Sequence, residues 1–225
     1  MNKQALEQIA HAMVTNGRGI LAADESTGTI KKRFDSIDVT STEDTRRDYR
    51  EMLFRTDEAM REHISGVILF DETIRQKAAD GTPLTQLITD AGSLPGIKVD
   101  AGAKAMAGHT GEMVTEGLDG LRERLSEYHA LGAKFAKWRA VINIADGLPS
   151  TACLTANTHA LARYAALCQE AEIVPIVEPE VIMDGAHTVE RCYEVTSAAL
   201  TALYSQLGEQ GVYLEGTILT PNMIV

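Results

Sequence analysis

A chain of 225 residues, 44% hydrophobic and 24% charged, is long enough for one sizeable core and ordinary in composition for a globular protein. Its net charge of −11, with no basic tract or stripe, excludes the cationic surface that nucleic acid requires. No apolar run approaches bilayer-spanning length and Met1-Asn2-Lys3-Gln4-Ala5 has no hydrophobic signal region, so neither a membrane partner nor secretion is expected.

In chain order, Leu6, Ile9, Ala10, Met13 and Val14 fall at helical spacing within Lys3 to Thr15, and Asn16-Gly17 ends that helix. Gly19 to Ala23 reads as a short buried strand. Asp24 to Gly28 reads as a polar loop and Thr29 to Ile37 as a helix. Ser41 is a candidate N-cap for a helix reaching about Thr56. Gly66 to Phe70 is a second apolar strand, followed by a helix from about Glu72 to Ala79. Thr82-Pro83-Leu84 opens a short helix, with proline suited to the first turn. Gly96 to Asp100 is a third strand, and a glycine-rich stretch runs from Ala101 to Gly111. Gly117 to Leu131 is an amphipathic helix, Lys134 to Arg139 a strand, and Leu154 to Glu170 an alanine-rich helix. Ile173 to Pro179, Thr188 to Leu207 and Val212 to Leu219 read as strand, helix and strand, with Pro221 breaking the last.

Strand and helix thus alternate at intervals of roughly 30 to 47 residues, the rhythm of βα units feeding a parallel sheet. Most strands are continuous apolar runs, as expected when both faces are buried. No linker or composition shift divides the chain, so 1–225 is read as one domain. A doubly wound dinucleotide fold should carry GxGxxG after its first strand, but Gly17-Arg18-Gly19 precedes it. The other architecture is part of an eight-stranded (β/α)8 barrel, with about six βα units present. The charges favour it. Asp24, Lys98, Lys137, Arg139, Glu178 and Glu180 all lie in or at the ends of apolar strands, and in a barrel those ends converge on the catalytic face.

Lys137 and Arg139 share a strand face, and Glu178 and Glu180 repeat the spacing one unit later. One such residue would be read as half of a structural ion pair. Several strands ending in ionisable groups point to a site, because perturbed groups cluster there. Ser26 and Thr29 read equally as caps of the helix near Ile30 and as anion ligands. Arg33 alone reads as a solvated helix residue, and Trp138 as packing. Cys153, Cys168 and Cys192 are an odd, widely spaced set without CxxC, which predicts reduced core thiols and a cytoplasmic setting. The six histidines show no HxH or HExxH spacing, so no metal site is expected.

The stretch Gly19-Ile20-Leu21-Ala22-Ala23-Asp24-Glu25-Ser26-Thr27-Gly28-Thr29-Ile30 resembles the N-terminal signature of class I fructose-1,6-bisphosphate aldolases. The resemblance continues through Gly66 to Phe70, Gly96 to Asp100, Phe135 to Arg139, Val174 to Glu180 and Leu214 to Thr217, and so covers essentially the whole chain. It implies a TIM barrel that cleaves fructose 1,6-bisphosphate into dihydroxyacetone phosphate and glyceraldehyde 3-phosphate in glycolysis. No metal or other cofactor is implied, and a homotetramer is.

By the same resemblance, Asp24 handles protons near C3 and C4, and Lys137 lowers the nucleophile's pKa and holds the C4 oxygen. Glu178 is the general acid and base, and Glu180 orients the lysines. Lys98, Ser26 and Thr29 hold the phosphate remote from the imine, with Arg33 and Arg139 as further substrate contacts. The family's imine-forming lysine precedes Pro-Asn-Met. Here that place is Thr220, ahead of Pro221-Asn222-Met223, so this chain is expected to be impaired. Members of the family continue through two more βα units, so the chain reads as ending after the sixth barrel strand. A non-catalytic homologue that binds phosphate esters and a barrel enzyme using Lys137 as its amine are the competing readings.

Overall fold

The computed structural model describes residues 1–15 and 17–223. Asn16, expected to help end the first helix, lies outside the described residues. The chain opens with α1 (Lys3–Met13), β1 (Gly19–Ala23), α2 (Thr27–Asp35) and α3 (Glu43–Phe54). Next come α4 (Asp57–His63), β2 (Ile64–Leu69), α5 (Asp71–Arg75), α6 (Leu84–Asp90) and β3 (Leu94–Lys98). A hairpin, β4 (Ala103–Ala105) and β5 (Met113–Thr115), precedes α7 (Leu121–Ala130), β6 (Phe135–Ile142) and α8 (Thr151–Glu170). The described chain closes with β7 (Val174–Val181), α9 (Val189–Glu209), a 3-10 turn (Leu214–Gly216) and β8 (Ile218–Leu219).

Six strands pair in parallel in the order β1-β2-β3-β6-β7-β8. Each barrel strand lies beside its predecessor, so there is no point where the strand order reverses. A doubly wound sheet needs such a reversal. The arrangement is that of a partial TIM barrel, as expected.

Two cores lie on the two faces of this sheet. Val67, Leu69, Ile97, Val99, Ala136, Trp138 and Val177 point outward into a core shared with the helices. The alternate residues Ile68, Phe135, Val174 and Ile176 point inward and meet Leu6, Ala10 and Met13 of α1. Helix α1 therefore plugs the base of the barrel. The Phe135 ring occupies the space that Gly66 and Gly96 leave, since a Cβ on Gly96 would sit 2.3 Å from its ring carbons.

Moving up each inward face, apolar residues give way to charge: Phe135, Lys137, Arg139 on β6, and Val174, Ile176, Glu178, Glu180 on β7. Base and mouth of the barrel are thus encoded by one alternation.

Four of the differences from the sequence reading have causes close at hand. The helix from Ser41 starts under Thr42, whose side chain forms a capping box with Thr45. It ends at Phe54, where Thr56 Oγ1 turns back to Met52 O at 3.1 Å, and α4 is a separate helix opened by Asp57 and Glu58. The glycine-rich stretch folds into the β4–β5 hairpin, using positive φ at Gly102, Gly108 and Gly111. The last strand is not the buried run Val212 to Leu219. A 3-10 turn occupies its first half because Gly216 is pressed against α1, where a Cβ would lie 2.9 Å from Leu6 Cβ.

Candidate active site

The inward parity of the strands delivers the charged residues to one mouth. Asp24 follows β1 directly, Lys98 ends β3, Lys137 and Arg139 lie on β6, and Glu178 and Glu180 on β7. These six line one open pocket together with Ser26, Thr29 and Arg33.

Lys137 sits between two carboxylates, with Nζ 3.6 Å from Asp24 Oδ2 and 3.3 Å from Glu178 Oε2. Its side chain is 14% exposed and those of both carboxylates 12%. Pairing offsets the desolvation such burial imposes. Lys98 Nζ donates to the Asp24 carbonyl at 2.6 Å and lies 3.9 Å from its carboxylate. The same ammonium stands 5.3 Å over the Phe70 ring, a cation–π distance. Arg139 Nε contacts Glu178 Oε1 at 3.7 Å and is hydrogen-bonded to Glu180. Glu178 therefore carries the lysine contact, while Glu180 is paired to the arginine.

Burial pushes the Glu178 carboxyl above its ordinary value, opposed by Lys137. A carboxyl that keeps its proton closer to neutrality, beside an ammonium, is equipped to give and take protons.

Ser26 and Thr29 stand together at the start of α2. Ser26 Oγ caps the helix by accepting Thr29 N at 3.4 Å, and the two hydroxyls lie 3.0 Å apart. Arg33 is exposed on α2 and paired with Glu25. Thr220 follows β8 with its backbone N donating to Val177 O at 3.0 Å. It lies one residue past the Val177–Leu219 pair, level with Glu178, and shares the inward parity of Ile218. The Thr220 side chain is exposed.

Residues not singled out from the sequence complete the mouth. Asp100 lines the pocket and accepts Gly102 N at 3.1 Å and Arg139 N at 3.4 Å, and burial raises its carboxyl. Its signal was available, since Gly96, Lys98 and Asp100 alternate inward. Asn222 fastens the segment after Thr220: Oδ1 accepts Val181 N at 3.2 Å and Nδ2 donates to Thr196 Oγ1 at 3.2 Å. Trp138 is buried against Tyr164, and all three cysteines are buried free thiols. Among the described residues no group of three or more His, Cys, Asp and Glu could hold a metal ion, and no helix is long and apolar enough to cross a membrane.

Residues 5–225 match the family model described as fructose-bisphosphate aldolase class-I. A protein of Xanthomonas campestris pv. campestris named probable fructose-bisphosphate aldolase class 1 is 59% identical over 225 residues, which is all of this chain and 67% of that one. Fructose-bisphosphate aldolase C of Carassius auratus is 52% identical over 222 residues, covering 99% of this chain and 61% of that protein. A solved fructose-bisphosphate aldolase from Plasmodium falciparum, in complex with TRAP and a small-molecule inhibitor, superposes with a TM-score of 0.95 at 44% identity. That superposition covers 99% of this chain and 65% of the solved one, so the chain spans about two thirds of the length of these relatives.

Proposed function

The chain belongs to the class I fructose-bisphosphate aldolase family, and from that membership we propose that its barrel mouth binds a sugar phosphate such as fructose 1,6-bisphosphate. The carrying observation is Lys137 held between Asp24 and Glu178, with Lys98 beside Asp24. Breaking the C3–C4 bond of a ketose needs a sink for its electron pair, and an iminium at C2 accepts that pair far better than a ketone. In this reading Lys137 holds the C4 oxygen and Asp24 takes the C4 hydroxyl proton. Glu178 supplies and removes protons during imine formation and product protonation, consistent with its raised pKa. Lys98, Ser26, Thr29 and Arg33 hold the far phosphate at the α2 N-terminus, where backbone dipoles favour anions. Arg139 contacts substrate while anchored by Glu180.

Position 220 limits the chemistry. A lysine amine adds to C2, loses water and becomes an iminium. The Thr220 oxygen can add to a carbonyl but cannot form that cation, so cleavage by this chain is impaired while the phosphate contacts remain. A phosphate-ester-binding homologue is the second reading, favoured by the same Thr220. Glycolysis as the setting, the cytoplasm as the compartment and a homotetramer as the assembly follow from family membership as parts of the proposal.

The first test is calorimetric titration with fructose 1,6-bisphosphate. Saturable binding that is lost in Lys98→Met supports the pocket. Equal heats for both proteins would show that the ligand goes elsewhere.

A further inference from the structure

Behind the pocket, Arg33 is the first of a line of alternating charges whose other members the reaction scheme leaves unused. Arg33, on the pocket rim, is paired with Glu25, whose side chain is only 8% exposed although that of Arg33 is 61% exposed. Behind Glu25 stands Arg50 of α3, fully buried. Its Nη2 donates to the Glu25 carbonyl at 2.7 Å and lies 3.9 Å from Glu25 Oε2. On its far side Arg50 Nη1 lies 3.8 Å from Glu72 Oε1. Glu72 is in turn gripped by Arg46, with Nε at 2.8 Å and Nη2 at 2.5 Å. Three guanidiniums alternate with two carboxylates, leaving one positive charge in excess.

This line is under-satisfied at one place. Arg50 Nε and Nη1 and Glu25 Oε2 are all buried without a hydrogen-bond partner. An ion pair kept only for stability is a poor choice in such a position, since apolar replacements of buried pairs are often neutral or stabilising. The unused donors and the unused acceptor belong to the same two residues, and the unused acceptor, Glu25 Oε2, stops 3.9 Å short of the Arg50 guanidinium at Nη2, slightly too far for a hydrogen bond. Arg33 is meanwhile held by a carboxylate in the place where a phosphate contact is required.

We propose that Glu25 is a stand-in anion for the substrate phosphate, and that Arg50 is the buried positioning residue that receives it. With the pocket empty, the Glu25 carboxylate holds Arg33. When a phosphate takes Arg33, Glu25 turns from the rim and closes on Arg50, which already holds its backbone carbonyl. The exchange keeps every carboxylate paired and breaks no covalent bond. It also makes phosphate affinity depend on a competition inside the protein, so Glu25 tunes how strong an anion must be to enter. The inference rests on reading the pocket as a phosphate-ester site.

The test is titration of the chain with inorganic phosphate, in parallel with thermal unfolding of each variant. Glu25→Gln removes the competitor, and phosphate should bind about threefold tighter, the scale of an exposed ion pair. Arg50→Met leaves Glu25 nowhere to go, and binding should weaken about tenfold, the scale of one hydrogen bond to a charged group. Adding Glu25→Gln to Arg50→Met should restore most of the affinity, and Arg50→Lys should restore part. A purely structural role for Arg50 would lower the unfolding temperature without this rescue. Weaker or unchanged binding in Glu25→Gln overturns the inference even if Arg50→Met does not fold. Absence of phosphate binding by the unsubstituted chain would overturn the pocket reading and this inference together.

Discussion

Asp100 lines the barrel mouth beside Lys98 and Arg139. It ends an inward-facing series with Gly96 and Lys98, and the structure buries it between two backbone N–H groups. Burial raises its carboxyl above the ordinary 3.8, with Lys98 the leading opposing influence. A raised acid contributes stability that is fully present below 3.8 and is lost as pH rises through the folded value. Unfolding by urea between about pH 3 and pH 7 should therefore show Asp100→Asn gaining on the parent chain as pH rises, with a slope of up to about 1.4 kcal/mol per pH unit. A constant offset across that range would show that Asp100 titrates as a free carboxyl. Charges inside apolar runs made Asp24, Lys98, Lys137 and Glu178 legible from sequence. Arg50 gave no such signal, because an arginine on a helix of seven charged residues among twelve, Glu43–Phe54, looks solvated until a second layer is packed over it.

Among the elements, the strands were more legible than their ends. β6 and β7 run on to Ile142 and Val181, past Arg139 and Pro179, because Ile142 and Val181 pack with Val195 and Ala199 of α9. That packing is invisible to a local apolar count. The β4–β5 hairpin was masked by its glycines, which serve the turns rather than marking a loop. Paired strands at the barrel base are held at close range by glycine against Phe135. Gly96→Ala should destabilise by about 1–3 kcal/mol, the usual scale of overpacking, when measured by denaturant unfolding. An unchanged midpoint would mean that the Phe135 ring moves freely and does not set the strand spacing.

For the whole molecule, alternation on each strand separates a plugged base from a charged mouth, and α1 is the plug. Leu6 is fully buried and abuts Gly216, while Tyr213 Oη donates to Glu7 at 3.1 Å. The first helix thus clamps the segment leading into β8 and position 220. Leu6→Ala should cost about 2–5 kcal/mol. It should also raise amide exchange in Tyr213–Leu219 more than in β2 and β3. Uniform exchange along the sheet would show that α1 adds stability without holding that edge. β1 and β8 stand at the two ends of the sheet order, and barrels are the architecture that removes such edges.

In the proposed reading this mouth is an aldolase pocket with a threonine in the place of its amine. Borohydride reduction in the presence of dihydroxyacetone phosphate, read by peptide mass spectrometry, tests it most directly. No covalent adduct is expected on the chain as it stands, and an adduct is expected at position 220 in Thr220→Lys, where Asp24, Lys137 and Glu178 are already assembled. An adduct on Lys137 in the unsubstituted chain, or none in Thr220→Lys, would contradict it.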